Sequence, residues 1–128
     1  MNPPDLRYHE EHEWIRVKGT QATLGISDFA QDALGDIVFI DLPKVGAAIT
    51  AGQQIGEVES TKTTSSIYSP VNGTIAQVNG DLKDHPEVVN SDPYGKGWMV
   101  VIELSEPAQV DKLMTAAQYD AFLAKQKG

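Results

Sequence analysis

The feature that most constrains the fold is the close spacing of turn signals in the middle of the chain. Four turn-forming dipeptides fall between residues 45 and 73, namely Val45-Gly46, Ala51-Gly52, Ser69-Pro70 and Asn72-Gly73. The segments between them are too short for helices of ordinary length, so the pattern predicts short strands joined by tight turns. Among these signals, Asn72-Gly73 is the strongest predictor of a β-hairpin.

Apolar periodicity predicts the remaining elements of a mainly β fold. We expect strands at residues 14–18, 22–26, 37–42, 54–59, 74–78 and 98–104, with the strand at 37–42 buried on both faces. A short internal helix is predicted at Asp28–Leu34, capped by Asp28 and ended by Gly35. Residues 81–96 read as a polar loop with one irregular turn near 87–90.

The C-terminal segment contains a capping box, Thr115-Ala116-Ala117-Gln118. It predicts a closing helix through Ala124 whose inward side chains are Tyr119, Phe122 and Leu123. We therefore expect residues 1–128 to form one domain, with its core at about 8–104 and the C-terminal helix at about 115–125.

Composition excludes several classes of function. The 128 residues include no cysteine, which rules out disulfides, thiolate metal sites and cysteine nucleophiles. A net charge of −8 argues against nucleic-acid binding, which requires a basic surface. No apolar run is long enough to span a bilayer and the first residues do not resemble a targeting leader, so we expect a cytoplasmic monomer without a membrane partner.

One lysine stands out in the middle of the chain. Lys62 is the sole charged residue between Ser60 and Gly80, and its neighbours are small and hydroxylated. Its primary amine can be acylated, which removes the charge and leaves a long flexible stem. The pattern favours a displayed attachment point, although a solvated lysine at a hairpin tip is the simpler alternative.

Two apparent motifs do not support catalysis or metal binding. Residues 56–63 have the spacing of a phosphate-binding loop, but Thr61 stands where a glycine must allow the backbone to curl around phosphate. His9 and His12 are three residues apart, whereas the helical zinc-binding pattern requires four. We therefore predict no metal site and no catalytic residues.

The surroundings of Lys62 resemble the attachment region of lipoyl carrier domains. The resemblance rests on Glu59-Ser60-Thr61-Lys62, on residues 69–75, and on the flanking glycines Gly46 and Gly73. Further segments at residues 12–14, 24–31, 34–39, 89–95 and 97–98 are similar to the H-protein family of the glycine cleavage system. The similarity extends from Tyr8 to Leu123.

This resemblance implies a barrel-sandwich hybrid of short hairpins, with lipoic acid amide-linked to Lys62. Members of the family are carriers rather than enzymes. Their lipoyl arm takes an aminomethyl group from a pyridoxal-phosphate glycine decarboxylase (P protein) to a tetrahydrofolate-dependent aminomethyltransferase (T protein). Dihydrolipoyl dehydrogenase (L protein) then reoxidises the arm.

The resemblance also implies roles for individual residues. Glu59 is expected to be recognised by the lipoate-attaching enzyme, and the His12-Glu13 segment to form part of a cleft that shelters the loaded arm. Where relatives commonly have an aspartate, this chain has Ser66, which leaves Glu13 or Glu11 to hold the loaded amine.

Three alternatives to the aminomethyl carrier remain. The first is a lipoyl donor or relay that supplies lipoyl groups to other enzymes. The second is a biotin carrier, although biotinyl domains usually flank the lysine with methionine where Thr61 and Thr63 stand here. The third is an unmodified β protein used only for binding.

Overall fold

Two antiparallel sheets form the framework of the computed structural model, which describes residues 2–127, with side chains described through Lys125. The strands are β1 Arg7–Tyr8, β2 Glu13–Lys18, β3 Gln21–Ile26, β4 Ile37–Asp41, β5 Ala48–Ile49, β6 Gln54–Ser60, β7 Thr64–Tyr68, β8 Gly73–Val78 and β9 Val100–Leu104. The larger sheet has the order β1-β2-β3-β9-β8-β5, and the smaller sheet has the order β4-β6-β7. The predicted mainly β fold is confirmed.

Four helices complete the described part of the chain: α1 Asp28–Leu34, α2 Asp81–Asp84, α3 Val88–Ser91 and α4 Ala116–Lys127. A 3-10 helix covers Pro107–Lys112. The bounds of α1 agree with the sequence prediction, but its N-cap is Ser27 rather than Asp28, because the Ser27 hydroxyl accepts the N–H of Ala30 at 3.2 Å. No helix among residues 2–127 combines the length and hydropathy that a membrane span requires.

The two sheets share one apolar core. The inward-facing residues of the two sheets pack against each other, as expected when one face of a sheet packs and the other is solvated. The larger sheet contributes Ile15, Leu24, Ile75 and Ile102, and the smaller sheet contributes Ile37, Ile40, Val58 and Ile67.

A second cluster lies beneath α4. The rings of Tyr8 and Tyr119 are stacked with centroids 4.6 Å apart, and Trp14, Leu6 and Ala116 are buried around them. Phe122 and Leu123 pack against the same cluster, so the predicted inward face of the closing helix is confirmed.

The predicted capping box of α4 is also confirmed. The N–H of Thr115 donates to Gln118 Oε1 at 2.9 Å, and the N–H of Gln118 donates to Thr115 Oγ1 at 3.3 Å. These reciprocal bonds satisfy two donors that the helix itself leaves unpaired. They fix the start of α4 above the aromatic cluster.

The prediction that strand 37–42 is buried on both faces is wrong. β4 ends at Asp41, and its burial alternates irregularly, with Val38 49% and Phe39 54% exposed. A β-bulge between Ile37 and Phe39 shifts the register, so both apolar side chains face solvent.

The hairpin predicted at Asn72-Gly73 is also absent from the described residues. β8 pairs with β5 and β9 rather than with β7. Asn72 instead forms hydrogen bonds with two distant segments of the chain. Its N–H donates to Gln109 Oε1 at 2.7 Å, and its Oδ1 accepts the N–H of Ala51 at 2.7 Å. At Gly73 a Cβ would lie 2.3 Å from Glu103 O, so close contact between β8 and β9 requires glycine there.

Two short segments of similar sequence, residues 45–49 and 71–75, pair with each other. Ala48 is in register with Thr74, and Ile49 with Gly73, in the antiparallel ladder of β5 and β8. Gly46 precedes this pair with a φ of 92°, a conformation that favours glycine. Gly73 therefore lies opposite Ile49, and the N–H of Gly46 donates to Ile75 O at 2.8 Å.

Candidate functional site

Lys62 is the middle residue of the three-residue turn, 61–63, that joins β6 to β7. The Ser60 N–H donates to Thr63 O at 2.8 Å, which closes the turn. The Ser60 hydroxyl also accepts the N–H groups of Lys62 at 3.3 Å and Thr63 at 3.1 Å. Ser60 is 6% exposed, so its hydroxyl has a fixed position. Its hydrogen bonds therefore hold the backbone of Lys62 in place.

A second set of bonds joins this turn to the segment between α1 and β4. The N–H of Thr61 donates to Asp36 O at 3.0 Å. Asn90, from α3, makes three hydrogen bonds to the same segment: it donates to Gln31 Oε1 and to Gly35 O, and it accepts the N–H of Ile37, each at 2.9 Å. The lysine turn is therefore fixed to a corner that three separate chain segments build.

The side chain of Lys62 is exposed. Among the described residues no carboxylate lies within 4.0 Å of its Nζ. Its stem passes over Gly35 at the end of α1, where a Cβ would come within 3.3 Å of Lys62 Cε. The amine is thus available to a modifying enzyme, and the far end of its stem lies beside Gly35, the residue that follows α1.

A cleft of about 130 Å³ opens next to this position. Its lining is largely apolar and also includes two carboxylates, an imidazole and two hydroxyls. The lining residues are Glu11, His12, Glu13, Ile26, Phe29, Ala30, Ala33, Leu34, Val58, Ser65, Ser66 and Ile67. Leu34 precedes Gly35, which the Lys62 stem approaches, and Ser65 is three residues after Lys62, so an aliphatic chain attached to Lys62 could reach this apolar cleft.

His12 forms one wall of this cleft. Its φ of 78° is positive, which is uncommon for a residue with a side chain. The conformation is stabilised because the His12 N–H donates to His9 O at 2.8 Å and its carbonyl accepts the N–H of Ser27 at 2.9 Å. The imidazole then lies over the Phe29 ring, with centroids 4.9 Å apart.

The His12 ring belongs to a hydrogen-bonded chain that ends at the N-cap of α1. His12 Nδ1 is 2.8 Å from Tyr119 Oη, which is 2.7 Å from Ser27 Oγ. Burial lowers the pKa of His12 and raises the pKa of Tyr119 to about 12. Tyr119 Oη therefore lies between the His12 ring and the Ser27 hydroxyl and joins them in one hydrogen-bonded chain.

Glu13 is buried, and both of its carboxylate oxygens are engaged. Oε1 is 2.9 Å from His9 Nδ1, and Oε2 accepts the N–H of Tyr68 at 2.9 Å. Glu13 is 1% exposed, and these bonds offset part of the cost of burying its charge. Glu13 links β2 to β7, the strand that follows Lys62.

The pair of His9 and Glu13 binds protons more tightly in the folded state than in the unfolded state. The hydrogen bond to Glu13 raises the pKa of His9, and burial raises the pKa of Glu13. Because the pKa of His9 is raised, its contribution to stability is complete below its ordinary value of 6.5 and is lost as pH rises through its folded value.

We expect His9→Asn to cost about 1 kcal/mol of unfolding free energy below pH 6.5, because a neutral amide replaces a charged donor to Glu13. The cost should shrink at a second, higher pH above the raised pKa of His9, where the native ring is neutral as well. Urea unfolding at the two pH values measures this difference. His85→Asn is the matched control, since His85 is 67% exposed. An equal cost of His9→Asn at both pH values would contradict the assignment.

Glu13 and Glu11, the two residues expected to bind the amine of a loaded arm, differ in whether their carboxylates are already hydrogen-bonded. Glu13 lines the cleft, but His9 and Tyr68 occupy its oxygens. Glu11 is exposed at the same cleft, and no described residue donates a hydrogen bond to its carboxylate. Ser66 also lines the cleft and is half-buried. The geometry favours Glu11 over Glu13 as the free carboxylate.

Sequence reasoning identified part of this site and missed the rest. It placed Lys62 in a turn and His12-Glu13 at a cleft, and both positions agree with the structure. It did not identify Phe29, Tyr119 or Asn90. Tyr119 was expected only as a core residue of α4, and a hydroxyl on a buried aromatic ring is the one signal that could have indicated a polar partner.

Comparisons with known proteins agree with this architecture. The Glycine cleavage H-protein family matches residues 6–126. The glycine cleavage system H protein of Brevibacillus brevis is 55% identical over 121 residues, covering 94% of this chain and 96% of the relative. That of Bacillus subtilis is 56% identical over 118 residues, covering 92% of this chain and 93% of the relative.

A solved structure has the same fold. The crystal structure of a glycine cleavage system H protein from Mycobacterium marinum superposes with a TM-score of 0.87 at 40% identity, covering 94% of this chain and 97% of that one. The chain belongs to the glycine cleavage H-protein family. The predicted family resemblance is therefore confirmed.

Proposed function

We propose that the chain is the lipoyl carrier of the glycine cleavage system and that lipoic acid is joined by an amide bond to Lys62. The observation that carries the proposal is the position of Lys62. It is exposed, without an ion-pair partner among the described residues, and held on a fixed turn beside an apolar cleft. When bound, the dithiolane supplies the disulfide that accepts the aminomethyl group and, later, the dithiol that is reoxidised.

The chain's own residues display, shelter and present the arm. Ser60 and Asn90 fix the base of the arm, so that only the arm itself moves between partners. The apolar wall of Phe29 and Leu34 excludes water from a chain lying in the cleft. The exposed carboxylate of Glu11 is placed to pair with an amine carried there. None of these residues acts as an acid, a base or a nucleophile.

The partners follow from the reaction sequence. They are the pyridoxal-phosphate glycine decarboxylase, the tetrahydrofolate-dependent aminomethyltransferase, dihydrolipoyl dehydrogenase and a lipoate-attaching enzyme. Tethering makes each transfer local once a partner docks. A net charge of −8 increases the encounter rate with positively charged docking faces. We place the protein in the cytoplasm, as a monomer.

Reconstitution with a glycine decarboxylase, for example that of Bacillus subtilis, tests the proposal. The chain is lipoylated in vitro, and exchange of labelled bicarbonate into glycine is measured with lipoylated and unmodified chain. We expect exchange only with the lipoylated form, because the arm must enter the decarboxylase. A chain that accepts lipoic acid but supports no exchange would indicate the relay function instead. Absence of lipoylation would reject both.

A further inference from the structure

An exposed apolar pair on β4 has no role in the site described above. Val38 and Phe39, here called the edge patch, are 49% and 54% exposed. They lie on a strand at the edge of the smaller sheet, where exposed apolar side chains promote unwanted pairing. The bulge that turns both side chains outward therefore exposes apolar surface to water. A partner protein that covers the edge patch would remove that surface from water.

The edge patch is bordered by carboxylates. Phe39 is in register with Glu59 on β6, and Asp41 is in register with Glu57. Residues in register share a face, so these three acidic side chains lie on the outer face of the sheet beside the phenyl ring. All three are exposed. On its other side Phe39 lines a groove that includes Lys83. Toward β6 the surface is an aromatic anchor with an acidic border, which suits an apolar pocket bordered by Lys or Arg.

The edge patch is also close to the lysine turn. Ile37, at the start of β4, is in register with Ser60, which anchors the turn, and Phe39 with Glu59, three residues before Lys62. Neighbouring strands are about 4.8 Å apart. A protein that covers Phe39 therefore reaches the hairpin that displays Lys62.

The kind of partner follows from what each enzyme must reach. An enzyme that acylates Nζ must bring it within about 3.5 Å of the acyl carbon, so it must surround the hairpin itself. Enzymes that act on the far end of a long arm need no contact with its root. A patch one strand away from the lysine turn therefore suits the first kind of enzyme.

We propose, on the basis of the function proposed above, that the edge patch and its acidic border are the docking surface for the lipoate-attaching enzyme. The reaction at this surface is an acyl transfer from a lipoyl adenylate. The deprotonated Nζ of Lys62 attacks the acyl carbon, the new C–N bond forms, the acyl–phosphate bond breaks, AMP leaves, and the proton lost from nitrogen goes to solvent. The step involves no oxidation or reduction.

Lipoylation kinetics of Phe39→Ser test the proposal. Full-length variant and wild type are incubated with a lipoate–protein ligase, lipoic acid and ATP, and the rate is followed by intact mass. We expect the KM for the chain to rise about tenfold with kcat unchanged, because a docking contact is lost while the chemistry at Lys62 is not. Val45→Ser is the matched control, an exposed apolar residue (65%) on the loop before β5.

A second variant removes charge instead of apolar surface. Glu57→Gln should raise the same KM by about threefold at low salt and have no effect at high salt, because an exposed charge acts mainly through screened attraction. This variant keeps the apolar surface intact, so it remains informative if Phe39→Ser alters folding.

The outcomes separate this inference from the proposed function. Wild-type chain that is never modified at Lys62 would reject the function. Normal modification of wild type with unchanged KM in both variants would overturn the docking surface alone. A KM that rises for the decarboxylase or the dehydrogenase, but not for the ligase, would assign the patch to a different partner and would equally overturn the inference.

Discussion

Replacement of Lys62 by arginine is expected to abolish lipoylation completely and leave the fold intact. The guanidinium remains protonated and delocalised, so it is not acylated, although its charge and length resemble those of lysine. Because Lys62 is exposed and has no ion-pair partner among the side chains of residues 2–125, stability should stay within about 0.5 kcal/mol of wild type. Intact mass after incubation with ligase, lipoic acid and ATP measures the modification.

Lys44→Arg is the control for this experiment. Lys44 is also exposed, but it lies on the loop between β4 and β5. The Lys44→Arg variant should gain the mass of one lipoyl group, as wild type does. An adduct on Lys62→Arg, located by fragmentation at another lysine, would disprove the assignment of the attachment point and with it the proposed function.

The second large effect is expected at Glu13. Glu13→Ala should lower the free energy of unfolding by about 3 kcal/mol, because it leaves the N–H of Tyr68 and the ring of His9 without their acceptor. The loss should loosen β7 in particular, which follows the lysine turn. Urea unfolding measures the total, and amide exchange at Tyr68 measures the local effect.

Two further variants separate the loss of a carboxylate charge from the loss of the hydrogen bonds that Glu13 makes. Glu13→Gln retains a carbonyl oxygen for the Tyr68 N–H and should cost about 1.5 kcal/mol. Glu11→Ala removes the neighbouring exposed carboxylate at the same cleft and should stay within about 0.5 kcal/mol of wild type. If Glu13→Ala is as stable as Glu11→Ala, Glu13 is not the structural link described here.

Features determined by neighbouring residues were predictable from sequence. The bounds of α1, the capping box of α4 and the turn position of Lys62 depend on short-range signals. These signals include a small polar cap, a Gln three residues later and a cluster of turn residues. They act within a few residues, so a single sequence contains them in full.

Features determined by distant pairing were not predictable. The outward orientation of Phe39 depends on a bulge opposite Glu59. Asn72 forms no hairpin with Gly73, and its N–H bonds to Gln109, 37 residues along the chain. Glu13 read as an available carboxylate because its partner Tyr68 lies 55 residues away along the chain. β1 has two residues and was missed because so short a strand shows no measurable alternation.

The three bonds of Asn90 have a mechanical consequence. They join the end of α1, the start of β4 and α3 into one corner, and that corner holds the turn of Lys62 through Asp36. A pull on the lysine stem is thus distributed over several segments instead of bending a single hairpin. With lipoic acid on Lys62, as proposed above, the root would then be a fixed pivot, and the entropy lost when a partner docks would come chiefly from the tethered group.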